Sequence, residues 1–242
     1  MEGSVSMDPI PEDWRTAVVI VAHPDDIEYG AAAAVARWTA QGKDVRYVLA
    51  TSGEAGIAGL PPERSKPVRE EEQRRSAAVV GVSQVEFLGH PDGRLVSGTA
   101  LRRDLAAAIR RHRPDVVVTA HFGDTWSRGR ANSADHRVLG RAALDAVSDA
   151  ANEWIFPELA ELPAWDGVRF VAVAAPDASH AVDVTGYTDV AARSLAEHAR
   201  YLAALSDTPV DVQAREQVDT VTAPRDGFSA ERAVAFEVYW FT

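Results

Sequence analysis

The chain has 242 residues, 46% hydrophobic and 25% charged, a balance typical of a globular domain rather than of a disordered, collagen-like or membrane-spanning chain. Its 25 Lys and Arg against 36 Asp and Glu give a net charge of −11, which repels phosphate backbones, so we expect no nucleic-acid partner. Cysteine is absent, so any metal ion must be held by histidine and carboxylate side chains.

The start of the chain has no basic stretch followed by an apolar core, so it is not typical of a secretory signal. No run approaches the roughly 18 consecutive apolar residues of a membrane-spanning helix. We therefore expect a cytoplasmic protein without a membrane span. We also expect residues 1–14 to form an N-terminal extension and residues 15–242 a single domain.

Short apolar runs alternate with helical patterns through the first part of the chain. The predicted strands of this part are residues 17–22, 45–50, 85–88 and 116–119. The predicted helices between and after them are residues 27–41, 68–80, 101–112 and 135–151. The second half is less regular, with predicted strands at 168–174, 182–185 and 233–241 and a helix near 188–205. Because this alternation is typical of right-handed βαβ units, it predicts one Rossmann-like α/β domain whose mostly parallel sheet has helices on both faces.

Polar side chains collect directly after the predicted strands, where open parallel sheets bind their ligands. The segments concerned are His-Pro-Asp-Asp-Ile-Glu at 23–28, Thr-Ser-Gly-Glu at 51–54, Gly-His-Pro-Asp-Gly at 89–93, His-Phe-Gly-Asp at 121–124 and Asn-Ser-Ala-Asp-His at 132–136. Four strand ends thus bring histidine and carboxylate side chains to one face.

The first and last of these segments predict a zinc site. His23 and Asp26, one helical turn apart, can converge on one ion, and His136 at a helix start on the same face is the natural third ligand. Asp25 then points elsewhere and is free for proton transfer. The alternative is a plain helix start, in which Pro24 and the acidic residues suit the first turn and His23 has a structural partner.

Residues 22–28 resemble the signature of the PIG-L/LmbE-like N-acetylglucosaminyl deacetylases, zinc enzymes that remove acetyl from an amino sugar. The resemblance extends over most of residues 17–205. Further segments similar to that family are residues 51–56, Arg69 with Glu72, residues 88–93, Asp135 with His136, and His198 in a late helix.

Carried over residue by residue, the resemblance implies His23, Asp26 and His136 as zinc ligands and Asp25 as the general base. It further implies that Arg69 and Asp92 contact sugar hydroxyls and that His198 belongs to the substrate-binding residues. From the residues alone, Arg69 is equally compatible with a solvated helix face, and His198 with a helix-surface or core histidine.

One segment departs from the family pattern, because Ser133 and Ala134 stand where the family usually has His and Pro. The family histidine is thought to steady the oxyanion or to protonate the leaving amine. We expect another donor to take that task, either His121 at the fourth strand end or the Ser133 hydroxyl. A structural role for His121 in its loop is the alternative.

These observations predict a zinc-dependent hydrolase that removes an acetyl or other acyl group from a small N-acylated amino sugar or sugar conjugate. Two alternatives remain: a zinc amidase acting on a thiol-sugar conjugate, and a carbohydrate-binding homologue without turnover. Nucleotide-cofactor and serine-hydrolase chemistry are disfavoured, because the sequence lacks Gly-x-Gly-x-x-Gly, Gly-Lys-Ser/Thr and Gly-x-Ser-x-Gly motifs. The sequence leaves open whether the chain forms a homo-oligomer.

Overall fold

The computed structural model describes residues 6–127, 129–175 and 178–241, and a large central sheet dominates them. Its strands are β1 (Asp8–Pro9), β2 (Thr16–Val21), β3 (Asp44–Leu49), β4 (Val85–Phe87), β5 (Val116–Ala120), β8 (Phe170–Ala174), β9 (His180–Asp183) and β10 (Ala233–Trp240). They lie in the order β1-β9-β10-β8-β5-β2-β3-β4. A separate hairpin consists of β6 (Thr125–Ser127) and β7 (Arg130–Ala131).

The centre of the sheet is parallel. The strand pairs β4–β3, β3–β2, β2–β5 and β5–β8 are parallel. Strand β10 runs antiparallel to both of its neighbours, β8 and β9. β2 is central because its residues 17–21 are apolar and buried on both faces. This arrangement directs the carboxyl ends of β2, β3, β4 and β5 to one edge of the sheet.

Helices cover both faces of the sheet. They are α1 (Ala32–Ala40), α2 (Pro62–Val79), α3 (Thr99–His112), α4 (Ala134–Ala151), α5 (Thr188–Ala196), α6 (Ala199–Leu205) and α7 (Val210–Val221). The buried apolar residues of α3 and α4 pack on one face, and those of the other five helices belong to the core on the opposite face. The predicted α/β fold, with a mostly parallel sheet between helices, is therefore confirmed. No helix in the described ranges has the length and apolar character needed to cross a membrane.

The structure corrects several predicted elements. The helix predicted over 27–41 begins only at Ala32, because residues 24–31 form a series of turns. The helix predicted near 188–205 is two helices, α5 and α6, which are interrupted at residues 197–198. α7 was not predicted, since it buries only Ala214 and Val218 and so carries a narrow apolar stripe.

The predicted N-terminal extension is also corrected for its described part. Residues 8–9 form edge strand β1, which pairs with β9, and the side chains of Ile10 and Trp14 are buried in the core. The Trp14 ring packs edge-on against Trp38 of α1, with centroids 5.2 Å apart. Residues 8–14 are therefore part of the packed fold.

Candidate metal centre

Three side chains predicted as metal ligands meet beyond the carboxyl ends of β2 and β5. The donor atoms of His23, Asp26 and His136 all lie within 4.8 Å of one another. His136 Nε2 is 2.9 Å from Asp26 Oδ1 and 3.2 Å from His23 Nδ1, and His23 Nδ1 is 3.5 Å from Asp26 Oδ2.

The local backbone that positions Asp26 is a tight turn, not the first turn of a helix as predicted. Asp26 Oδ2 accepts hydrogen bonds from the backbone N–H groups of Ala22 and His23, at 3.1 and 2.8 Å. The carboxylate therefore closes the turn and presents its other oxygen, Oδ1, to His136. Asp26 and His23 converge because of this turn.

Hydrogen-bond partners fix the proton on each imidazole. Nδ1 of His136 lies 3.0 Å from Oδ1 of Asn132, whose amide nitrogen donates to the carbonyls of residues 121 and 123. Since Asn132 Oδ1 can only accept, His136 carries its proton on Nδ1. Nε2 of His23 faces two carboxylates, Asp135 Oδ2 and Asp92 Oδ1, each at 3.2 Å, so that nitrogen carries a proton.

The remaining nitrogens, His23 Nδ1 and His136 Nε2, face each other at 3.2 Å beside the Asp26 carboxylate. Two imidazole nitrogens approach this closely beside a carboxylate when a cation, either a proton or a metal ion, lies between them. Two imidazoles and one carboxylate are a set that zinc binds in catalytic sites, and the carboxylate or amide behind each imidazole is the usual support for a metal-bound histidine. The residues therefore fit a metal ion.

The electrostatics of the cluster also favour a cation among these side chains. Burial would raise the pKa of Asp26, but the adjacent His136 and His23 hold it far below its usual range. Burial would lower the pKa of the His23 imidazole, but Asp26, Asp135 and Asp92 around it raise this pKa well above the ordinary value. The cluster thus stabilises positive charge at its centre, whether a proton or a metal ion carries it.

Asp25 takes different partners from Asp26, although the two are adjacent in the chain. Its backbone is left-handed, with φ +90°, and its Oδ1 accepts a hydrogen bond from Arg69 Nη2 at 2.9 Å. Burial raises the pKa of the Asp25 carboxyl, Arg69 opposes that rise, and the Asp26 charge adds to it. A carboxylate with a raised pKa suits a general base.

Arg69 is buried, although its sequence is compatible with a solvated helix face. The residue is only 1% exposed, and its contact with a sugar stays a prediction. Nη2 also donates to the Pro24 carbonyl, and the guanidinium stacks on the Tyr201 ring, 3.7 Å from its centroid. Arg69 therefore supports the turn that carries Asp25.

Asp92 and His198, both predicted to bind substrate, have protein partners. Asp92 Oδ1 faces His23, and its Oδ2 accepts from the Ala55 N–H at 2.8 Å. His198 is 0% exposed at the break between α5 and α6, with Nε2 3.5 Å from Glu28 Oε2. His198 thus lies in the core of the described structure, and its substrate-binding role stays a prediction. A sugar contact by Asp92 stays a prediction.

Of the two candidate oxyanion donors, Ser133 contacts His136 directly, whereas the His121 side chain reaches the cluster only through Trp126. Ser133 is the N-cap of α4, where its Oγ accepts from the His136 N–H at 3.2 Å. His121 donates from Nε2 to the Thr125 carbonyl at 3.0 Å and packs on Trp126, with ring centroids 5.4 Å apart. Trp126 in turn lies 5.7 Å from the His136 ring. Ser133 thus has a capping role, and the donor role of His121 stays a prediction.

Comparison with known proteins assigns the family. The PIG-L family, described as GlcNAc-PI de-N-acetylase, matches residues 18–147. The chain belongs to the PIG-L family. That stretch includes all three candidate metal ligands, Asp25 and Arg69.

Two relatives of this PIG-L protein are deacetylases by name. It is 31% identical over 140 residues to diacetylchitobiose deacetylase of Thermococcus kodakarensis. This match covers 57% of this chain and 51% of that protein. It is 29% identical over 190 residues to 1D-myo-inositol 2-acetamido-2-deoxy-alpha-D-glucopyranoside deacetylase of Thermobifida fusca. This match covers 67% of this chain and 63% of that protein. The chain thus spans between half and two thirds of the length of these relatives.

The fold of this family member is that of a solved deacetylase. N,N'-diacetylchitobiose deacetylase from Pyrococcus horikoshii superposes with a TM-score of 0.83 at 21% identity, covering 94% of this chain and 85% of that one. At 21% identity this similarity shows the fold alone.

Sequence reasoning gave no role to four polar residues of this site: Asp135, Asn132, Gln73 and Glu28. Asp135 sits in the first turn of α4, where an acidic residue is already explained by the helix dipole. Asn132 precedes the N-cap, and Gln73 accepts the Asp25 N–H at 2.9 Å. Two features of the sequence could have indicated these residues. One is the adjacent Asp-His pair at 135–136, and the other is the spacing of four between Arg69 and Gln73, which places both on one face of α2.

Proposed function

We propose that this protein is a zinc-dependent N-deacetylase that hydrolyses the acetamide of an N-acylated amino sugar conjugate. The convergence of the donor atoms of His23, Asp26 and His136 carries the proposal. The deacetylase names of its relatives support the amide chemistry and the amino-sugar substrate class. The predicted cytoplasmic location and homo-oligomer stay predictions.

The proposed reaction breaks the amide C–N bond and forms a new C–O bond to the acyl carbon. A zinc ion held by His23, Asp26 and His136 supplies Lewis acidity that makes water a nucleophile near neutral pH. Asp25 accepts the proton of the attacking water and returns it to the departing amine, a task worth roughly 10²–10⁴-fold. Arg69 keeps the Asp25 carboxyl in place for both transfers.

The test is acetate release from diacetylchitobiose and from an N-acetylglucosaminyl inositol, with the metal content of the same sample measured by elemental analysis. About one zinc per chain and acetate release on either substrate are the expected results. A chain that holds zinc but is inert on every acylated amino sugar and on thiol-sugar conjugates is instead the carbohydrate-binding homologue.

A thiol-conjugate amidase is the second candidate, favoured by one further relative. The chain is 28% identical over 170 residues to mycothiol S-conjugate amidase of Streptomyces coelicolor, covering 60% of this chain and 56% of that protein. The same metal cluster serves both reactions. Turnover of a mycothiol S-conjugate that exceeds turnover of the acetamides would select this function.

Asp135→Asn is expected to lower zinc affinity about 10–100-fold without removing a ligand, because the carboxylate orients His23 from behind. The Asp135 carboxylate also accepts from the N–H groups of Gly93 and Leu95, at 2.8 and 3.0 Å. The asparagine amide has one oxygen to accept these hydrogen bonds, whereas the carboxylate has two. Competition with a chelator measures the zinc Kd. Asp145→Asn is the matched control, since Asp145 lies on the same helix with a side chain that is 61% exposed. Equal affinities in the two variants would contradict the supporting role.

His121→Ala is expected to lower kcat by roughly 10-fold or more while zinc is retained, if His121 supplies the missing oxyanion donor. Ser133→His in that background is expected to restore part of the turnover, although loss of the N-cap costs about 1 kcal/mol of stability. Steady-state kinetics with zinc measured in parallel decide the matter. Undiminished turnover by His121→Ala would leave the donor role to another group.

A further inference from the structure

The backbone of Asp25 adopts a conformation that side-chain-bearing residues avoid. Among the described non-glycine residues, only Asp25 and Arg113 have positive φ, +90° and +50°. A non-glycine residue stays in this region only where its surroundings hold it there. The surroundings of Asp25 therefore include a group that fixes its backbone.

Helix α2 supplies that group. Gln73 Oε1 accepts the Asp25 N–H at 2.9 Å, from 48 residues further along the chain. The Asp25 carbonyl accepts from the Tyr29 N–H at 2.9 Å, within the turn itself. Arg69, one helical turn before Gln73, binds the Pro24 carbonyl and the Asp25 carboxyl. Of these contacts, the one from Gln73 joins the Asp25 backbone to the rest of the fold.

The Gln73 amide is itself held in one orientation. Its Nε2 donates to Glu28 Oε1 at 3.1 Å, and the same oxygen accepts from Ser76 Oγ at 2.7 Å. Gln73 is 0% exposed, so no solvent replaces these partners. Because Nε2 faces the Glu28 carboxyl, Oε1 must face Asp25. An amide fits this place, whereas a hydrocarbon of the same size would leave the buried Asp25 N–H without an acceptor.

We propose that Gln73 is a positioning residue that holds the left-handed backbone of Asp25 and thereby keeps the Asp25 carboxyl on Arg69, apart from the metal ligands. The adjacent Asp26 carboxylate binds the N–H groups of residues 22 and 23 and faces His136. Without the Gln73 contact, Asp25 relaxes toward ordinary φ and its carboxyl leaves the position from which it takes a proton. This role rests on the proposed function, in which Asp25 is the base.

Gln73→Met removes the acceptor at nearly constant volume. We expect kcat to fall about 10- to 100-fold, the cost of a misplaced catalytic group, with KM and zinc content unchanged. Amide hydrogen exchange at Asp25, followed by NMR, is expected to become faster in the variant. Gln213→Met is the matched control, because Gln213 donates to the carbonyls of Leu202 and Thr208, outside the site, and this variant should retain parental kcat.

A rescue pair covers the case in which Gln73→Met fails to fold. Gln73→Glu keeps the acceptor but sets a carboxylate against Glu28, so we expect reduced turnover. Gln73→Glu combined with Glu28→Gln exchanges amide and carboxylate, restores one donor and one acceptor, and should recover kcat to within about threefold of the parent. Failure of this exchange to improve on Gln73→Glu would overturn the proposal.

A double-mutant cycle separates positioning from plain core packing. If Gln73 acts through Asp25, adding Gln73→Met to Asp25→Asn leaves the residual kcat unchanged. Equal fold-losses in both backgrounds, or a Gln73→Met variant with parental kcat and parental Asp25 exchange, would overturn the proposal. A parent inert on all acetamides and thiol conjugates contradicts the proposed function instead, and Asp25 exchange still decides whether Gln73 holds this backbone.

Discussion

Replacing His23 or His136 by alanine is expected to reduce bound zinc from about one ion per chain to a small fraction and to abolish turnover, because two protein ligands rarely hold zinc. Each change removes one of the two facing nitrogens that lie 3.2 Å apart. Elemental analysis after dialysis, with acetate release on the same samples, measures both effects.

The His23 change has a second expected consequence, for stability. Its imidazole stands between the carboxylates of Asp26, Asp92 and Asp135, so alanine leaves three negative groups close together without their cation. We expect a lower Tm for His23→Ala than for His136→Ala, whose ring meets one carboxylate, that of Asp26.

The matched control is His180→Ala, on β9, which is separated from β2 by β10, β8 and β5. It should keep zinc, turnover and Tm near those of the parent. If His23→Ala retains full metal and full activity, the metal centre lies elsewhere and the proposed ligand set is wrong.

The central sheet and the convergence of the three metal ligands could be predicted from the sequence, because both follow from the local pattern of apolar and polar residues. An apolar run at 17–21 predicts a central strand, and parallel strands deliver the residues after their carboxyl ends to one edge. Residues 23–26 and 132–136 therefore had to approach each other, although they are about a hundred positions apart.

The turn at 24–31 could not be anticipated, because its cause lies in another element. The Ala-rich sequence after Ile27 favours a helix locally, yet the Asp25 N–H is bound by Gln73 of α2 and its carboxyl by Arg69. Likewise, Arg69 and His198 resemble ordinary helix residues in sequence, and only the packing of α2 against α5 and α6 buries them. Long-range contacts override local propensity at these positions.

The second large effect is expected to separate two adjacent carboxylates. Asp25→Asn should keep about one zinc per chain but lose ~10²-fold or more in kcat, because it removes the proton acceptor and leaves the three ligands intact. Asp26→Asn should lose the zinc itself, because an amide is a far weaker ligand than the carboxylate that faces His136 Nε2 at 2.9 Å.

The structure strengthens this contrast, since the partners of the two side chains do not overlap. Asp26 closes its turn on the N–H groups of Ala22 and His23, whereas Asp25 pairs with the buried Arg69. Added zinc provides the deciding measurement: it should restore part of the turnover of Asp26→Asn and none of that of Asp25→Asn. Metal loss in Asp25→Asn with full occupancy in Asp26→Asn would exchange their roles, making Asp25 the ligand and Asp26 the base.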